Sequence, residues 1–375
     1  MDLRRIVENT KQMVSIPSQG GIDSPNAILD FIKADARKRG LKTQELKSGK
    51  MRVGLVVELG NVQKGAYVLN AVVDTAPVGN PDAWEYPPFS AIEKDGWLYG
   101  RGAADSKVAA AIFMSLAEEL SRKVSRMKKG LLIFFDADEH TGKFNGCKAL
   151  IEAYKNIKGV VIGYPGDDQF NIGSRGFYRV YAHVLGTSGH SGSRQAVKDN
   201  AIDTAFAFIR KLRKIDIENK KSGFPLPPKF NLTAVHGGEY FSMIPNKVTL
   251  NIDIRTTVEF GEKQAETLLS KIAAKFGPKV VLEKFESWPA FMLPKKSPLC
   301  AVFRQVFKEM GLELPFEVSG LSNSGNLLAK YGIPATAGYG VKYKNAHGTD
   351  ERVLIESIPL VHEIYLRVAE RLTGL

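Results

Sequence analysis

Gly100-Arg101-Gly102-Ala103-Ala104-Asp105-Ser106-Lys107 sets two glycines around an arginine and a lone aspartate ahead of an apolar run, Val108-Ala109-Ala110-Ala111-Ile112-Phe113-Met114. Glycine permits tight turns and close backbone approach. The apolar run predicts a helix from Asp105 to about Leu120, which puts Asp105 where an N-cap belongs. An isolated aspartate in that setting is most often a cap and nothing more. The other reading is a metal ligand held at the end of a strand–loop–helix unit, and the rest of the chain decides between them.

Outward from this stretch, strands and helices alternate. Two helices are expected in the first forty residues, the second starting at Ser24-Pro25 with serine as cap and proline at the first helical position. Met51 to Leu59 and Tyr67 to Val73 read as strands, the second apolar enough to be buried on both faces. Pro77 to Ser90 is a loop in which Trp84 and Phe89 are expected to pack over the site. Leu131 to Phe135 is another buried strand, with a helix from about Gly146. This alternation predicts an α/β sheet with helices on both faces. Near Gly173 to Gly176 the character shifts. Strands are expected at Phe177–Val184, Asn231–Val235, Val248–Arg255 and Val280–Glu283, with helices near 200–214 and 263–275 between them. That is a self-contained α+β unit of roughly 110 residues, within the usual size of a domain. From Ser297 helix and strand alternate again, through a strand near Thr336 to Tyr339, to an amphipathic helix over 354–372, so the smaller unit is inserted into the larger.

Composition bounds the function classes. The chain has 375 residues, 44% hydrophobic and 25% charged, as in an ordinary globular protein with two domains. No apolar run approaches the roughly 18 residues of a membrane span, and the first residues carry no signal-peptide core. Cys147 and Cys300 have no pairing pattern and read as reduced thiols in a cytoplasmic protein. The net charge of +12 gathers at Arg122–Lys129, Arg210–Lys214 and Lys220-Lys221. No aromatic-studded strand or nucleic-acid motif accompanies it, so these are read as solvated helix faces and no nucleic-acid partner is expected.

Four polar clusters stand at predicted strand ends: Asp74-Thr75-Ala76-Pro77; the stretch with Asp105; Asp136-Ala137-Asp138-Glu139-His140-Thr141-Gly142; and Asn345-Ala346-His347-Gly348-Thr349-Asp350-Glu351. Taken singly each has a plain reading: Asp74 as a turn former, Asp138 and Glu139 as a solvated turn, His347 as a hydrogen-bonded surface residue. Carboxylates and histidines converging outside the carboxyl ends of strands are, together, a candidate metal site.

These motifs, with Trp84…Pro88-Phe89…Asp95-Gly96, Gly186 to His190, Ile244-Pro245-Asn246 with Arg255, and Gly332-Ile333-Pro334, resemble the aminoacylase, glutamate carboxypeptidase and succinyl-diaminopimelate desuccinylase family of zinc hydrolases over nearly the whole chain. The resemblance implies an α/β, mixed-sheet, zinc-exopeptidase-like catalytic domain (1–178 and 291–375) with an inserted α+β lid or dimerisation domain (179–290). It implies two metals bridged by Asp105, with Glu139 as general base and Asp74 orienting a histidine. His190 would stabilise the oxyanion, often in a partner subunit's site, and Arg255, Asn246 and Gly320 would bind substrate. The chain departs from the pattern in a directed way. Val72 stands where one metal's histidine is expected and Tyr164 where its acid is expected, so both exclusive ligands of that metal are missing. For the other metal Asp105 and His347 remain, and His140 replaces the usual glutamate. The expectation is therefore one zinc per chain (cobalt or manganese being possible) held by Asp105, His140 and His347, in a homodimeric hydrolase of small peptides or N-acyl amino acids. Three alternatives stay open. A catalytically silent homologue could bind such molecules, Asp167 or Asp168 could supply a substitute ligand, and a one-residue slip would make Asp138 the base and Glu139 the ligand.

Overall fold

The structure is a computed structural model and describes residues 1–194, 198–215, 217 and 223–375; the basic pair Lys220-Lys221 lies outside the described residues. The chain separates into two units, one formed by Met1–Gly173, Met292–Ser319 and Asn323–Leu375, the other by Ser174–Phe291 with Gly320–Ser322.

The first unit is built on a five-stranded sheet ordered Thr43–Ser48, Met51–Leu59, Gly130–Asp136, Ala66–Val72, Ile157–Gly163. The first two strands form a hairpin, and Met51–Leu59 runs antiparallel to Gly130–Asp136. The last three strands are parallel, with Val72 opposite Asp136 and Ala71 opposite Gly163. That register brings three carboxyl ends to one edge of the sheet. Every residue of Ala66–Val72 and Gly130–Asp136 is buried, as parallel strands covered on both faces require. The helices Leu3–Val14, Val108–Ser121, Pro298–Glu309 and Ile358–Thr373 contribute to a large apolar core of this unit.

Three expectations change. Asp105 is not an N-cap: Ala103–Lys107 forms an irregular turn with Asp105 at φ −117°, ψ 87°, and the regular helix starts at Val108 after Lys107. Its carboxylate is thereby freed from capping. The second helix begins at Asn26, with Pro25 rather than Ser24 at the cap position. The segment near 336–339 makes isolated parallel bridges, Val160 to Ala335 and Gly163 to Tyr339, in place of a continuous strand.

The second unit is an antiparallel sheet ordered Lys229–His236, Lys247–Thr256, Gly176–Leu185, Val280–Trp288. Strand alternation sends Tyr178, Val180, Ala182, Leu250, Ile252 and Ile254 into a core with Phe208, Leu212 and Leu269 of the helices Ala201–Arg213 and Glu262–Ala273. The opposite face carries Arg179, Tyr181, Asn251, Asp253 and Arg255 around a cavity of about 390 Å³. No helix among the described residues is long and apolar enough to cross a membrane.

Candidate metal centre

Each side chain of the site is delivered by a strand end or by the loop packed against it. Asp74 follows the Ala66–Val72 strand, and Glu139 and His140 follow Gly130–Asp136. His347 comes from a loop in which Asn345, His347 and Asp350 all have positive φ, at 57°, 62° and 53°. Non-glycine residues sit there only under constraint from their surroundings. Part of that constraint is Arg101, buried, whose Nη2 donates to the carbonyls of His347 (3.1 Å) and Pro77 (3.2 Å) and whose Nη1 donates to Glu351 Oε2 at 2.5 Å. Glu351 Oε1 in turn accepts from the N–H groups of Ala104 (2.9 Å) and Asp105 (3.1 Å). One buried ion pair therefore joins the turn bearing Asp105 to the loop bearing His347. Lys107, also buried, donates through Nζ to the carbonyls of Met13 and Ile16, each at 2.9 Å, which suits a cation at the C-terminus of the first helix. Burial lowers Lys107 to about 7, against the opposing pull of Glu351 and Asp74.

At the centre three donor atoms converge. His347 Nε2 lies 2.9 Å and His140 Nε2 3.7 Å from Asp105 Oδ2, and the two imidazole nitrogens are 3.3 Å apart. Asp105, His140 and His347 are the only group of three or more such side chains that could share an ion among the described residues. Asp105 is buried, and although burial opposes it, the hydrogen bond from His347 and the charges of His140 and His347 hold its carboxyl far below the usual carboxylate range. Neither Asp167 nor Asp168 belongs to the cluster.

Around this trio Asp74 has two roles. Its oxygens accept from the N–H of Glu139 (3.1 Å) and of His140 (2.9 Å), and Oδ1 lies 3.5 Å from His140 Nδ1. Glu139 Oε2 is 3.5 Å from the same nitrogen. The Asp74 carboxylate facing Nδ1 favours the proton there and leaves the Nε2 lone pair for a cation. His140 Nδ1 is buried without a completed hydrogen bond. Burial raises Glu139 to about 8; His140 opposes this, and Asp105 and Asp74 reinforce it. An oxygen and two nitrogens aimed at one point, amid an excess of carboxylates, suit a divalent cation. Asp138 stands apart from the cluster: its oxygens accept from Thr141 Oγ1 (2.8 Å) and the Asn145 N–H (3.1 Å).

Val72 is fully buried and Tyr164 is 9% exposed. Burial raises the Tyr164 phenol well above its usual range, and the charges of Asp105 and Glu139 reinforce this. In the sequence Arg101 stands between two glycines and Glu351 ends the fourth polar cluster, but nothing there pairs them.

In the second unit the predicted residues fall into two groups. His190 ends the short strand Gly189–His190, pairs with Met243, and accepts from the Gly192 N–H through Nδ1 at 3.0 Å. Asn246 directly precedes the Lys247–Thr256 strand, whereas Arg255 lies near its far end. At about 3.3 Å per residue those positions are about 30 Å apart. Arg255 Nε is 2.8 Å from Asp253 Oδ1, and Nη1 donates to Ser322 Oγ at 3.2 Å, beside Gly320, whose carbonyl accepts from Arg175 Nε at 3.3 Å.

Residues 68–371 match the profile of Peptidase family M20/M25/M40. Among curated relatives, a succinyl-diaminopimelate desuccinylase of Paracidovorax citrulli is 25% identical over 311 residues, covering 80% of this chain and 79% of the relative. An M20 family metallo-carboxypeptidase from Sulfolobus solfataricus superposes with a TM-score of 0.81 at 18% identity, over 100% of both chains. A Bacillus subtilis protein described as a dinuclear metal-binding peptidase of the M20 family superposes at 0.70, with 13% identity over 99% of this chain and 98% of its own.

Proposed function

Because this chain belongs to the M20/M25/M40 peptidase family of metallohydrolases, we propose that it cleaves an amide bond next to a free carboxylate with one divalent metal, zinc, held by Asp105, His140 and His347. The observation that carries this reading is the convergence of those three ligand atoms beside Glu139, while Val72 and Tyr164 stand at the positions where the resemblance expects a second metal's ligands. A cation in such a site acidifies a water and polarises a carbonyl. Glu139 takes the proton from the attacking water and passes it to the leaving amine nitrogen. Asp74 holds the backbone of Glu139 and His140 and keeps the His140 ring turned with Nε2 toward Asp105.

Arg255, oriented by Asp253 and Ser322, suits the substrate's carboxylate, which a guanidinium grips through parallel hydrogen bonds. His190 uses Nδ1 as an acceptor, which leaves Nε2–H as a donor for an oxyanion. The separation of His190 and Asn246 from Arg255 supports a homodimer in which the two groups serve sites of different subunits. The substrates are N-acyl amino acids, N-succinyl ones included, or small peptides. The free, buried thiols of Cys147 and Cys300 suit a cytoplasmic setting.

The test is metal analysis with a substrate panel. Chelator-stripped protein is reconstituted with zinc, cobalt or manganese and assayed for amine release from N-succinyl and N-acetyl amino acids and dipeptides. One equivalent of metal per chain, with activity lost on stripping and restored by zinc, is expected. Two equivalents would overturn the one-metal reading. Saturable binding of these compounds without hydrolysis by the loaded protein would identify a silent homologue instead.

A further inference from the structure

Asp136 is the last residue of the Gly130–Asp136 strand and is fully buried. Its backbone carbonyl accepts from the Val73 N–H at 2.7 Å, one residue before Asp74. Its side chain turns the other way along the site, and Oδ1 accepts from the Asp138 N–H at 3.1 Å, one residue before Glu139. The loop that carries the base therefore leaves the strand on carboxylate anchors. The N–H groups of Asp138, Glu139 and His140 go in turn to Asp136 Oδ1, Asp74 Oδ1 and Asp74 Oδ2. The Asp136 side chain is itself tightly enclosed. A Cβ added at Gly146, in the first turn of the Asn145–Ala153 helix, would lie 2.0 Å from Asp136 Oδ1, and Cys147 Sγ is 3.4 Å from Oδ2. Only glycine lets the helix backbone come so close to that oxygen. Burial, with the charge of Asp74, pushes the Asp136 carboxyl up to about 8. At neutral pH it is thus an uncharged acceptor, the form in which a buried acid costs least.

We propose that Asp136 is a positioning residue for the general base: by pinning the Asp138 N–H it sets where Glu139 stands relative to Asp105, His140 and His347. The inference deepens the hydrolase reading above and rests on it. A general base has to meet its proton at hydrogen-bond distance, and a misplacement of about 1 Å can cost about 10²-fold in rate. His140 has tethers of its own, since Asp74 holds its N–H at 2.9 Å and faces its ring at 3.5 Å. Its place beside Asp105 does not depend on Asp136. Loss of the Asp136 acceptor therefore acts on the base and spares the ion.

The test compares zinc-reconstituted wild type with Asp136→Asn, Asp136→Leu and Gly146→Ala, each well below its thermal midpoint. Asparagine keeps an uncharged acceptor oxygen, leucine fills similar space without one, and alanine at 146 leaves Asp136 in the chain but displaces its carboxyl. Three quantities are read: kcat and KM on the substrate panel, zinc affinity, and deuterium exchange at the amides of Asp138 and Glu139 in metal-free protein. Asp136→Asn should stay within about threefold of wild type in kcat. Asp136→Leu and Gly146→Ala should each lose about 10²-fold in kcat, with KM and zinc affinity almost unchanged, and exchange should rise in those two only. Full turnover by Asp136→Leu or Gly146→Ala would overturn the proposal. So would a loss in Asp136→Asn equal to that in Asp136→Leu, or zinc affinity falling in step with kcat, which marks a structural role alone. If Asp136→Leu does not fold, Gly146→Ala against Asp136→Asn decides by the same criteria. If loaded wild type turns over none of the panel, the hydrolase reading fails, while the exchange pattern still decides whether Asp136 pins the loop.

Discussion

At the residue scale the centre depends on a few side chains whose neighbours decide their state. Glu139 is buried beside His140, and in the function proposed above it takes the proton from the attacking water. Glu139→Gln keeps the shape and removes the base. Turnover should fall about 10²–10⁴-fold, the usual contribution of general base catalysis, with zinc content and thermal midpoint retained; a variant of near-normal activity would place the base elsewhere. A second titratable residue reports on stability alone. His362, in the last helix, is buried with Nε2 3.2 Å from Ser115 Oγ, and burial pushes it down to about 4. Its unfolded value is about 6.5, so below that pH the unfolded chain takes up a proton that the folded chain refuses. The stabilisation from keeping this group neutral is therefore complete above about pH 6.5 and is lost as pH falls toward 4, a change of roughly 1–3 kcal/mol. Denaturant titrations of wild type and His362→Gln between those pH values should show the slope in the first and a flatter curve in the second.

At the scale of elements, the site is made by three parallel strand ends, the irregular turn that bears Asp105 and one constrained loop. The strand register alone puts Asp74, Glu139 and Tyr164 along one edge, because parallel neighbours end together. The loop with His347 has no such help, and its position depends on the Arg101–Glu351 pair. Removing one member of a buried ion pair leaves the other charge stranded, at a cost of about 3–5 kcal/mol. Arg101→Met should therefore lower the unfolding free energy by about that amount and weaken zinc binding, since His347 loses the donor on its carbonyl. The double change Arg101→Met with Glu351→Gln should recover much of the stability but not the zinc affinity. Equal zinc affinity in wild type and Arg101→Met would show that the loop holds itself.

At the scale of the whole molecule, the second unit carries His190 and Asn246 at one end of its sheet and Arg255 at the other. A small substrate cannot span about 30 Å, so the two groups act on one molecule only if two chains contribute. Mixing His190→Ala with Glu139→Gln under conditions of subunit exchange tests this. Each variant alone should be nearly inactive, while random pairing forms hybrid dimers with one intact site and restores about a quarter of wild-type activity. A monomer by light scattering, or no recovery on mixing, would refute the shared site.

Much of this architecture was legible in the chain itself. Short apolar runs rich in aromatic and β-branched residues, such as Leu131 to Phe135, predict strands buried on both faces, and the pattern from Phe177 to Val184 predicts a further strand. Period and burial are local properties, so a sequence carries them openly. The acids and histidines at strand ends were legible for the same reason. What needed the tertiary structure was everything decided by distance across the chain. Asp105 reads locally as a cap, and only packing of its turn against Glu351, 246 residues away, turns its carboxylate toward two histidines. Asp74 has no neighbour in sequence that announces its hold on His140. The convergence of His140 and His347, 207 residues apart, is likewise a fact of register and packing, fixed by which segments lie side by side rather than by any pattern within them.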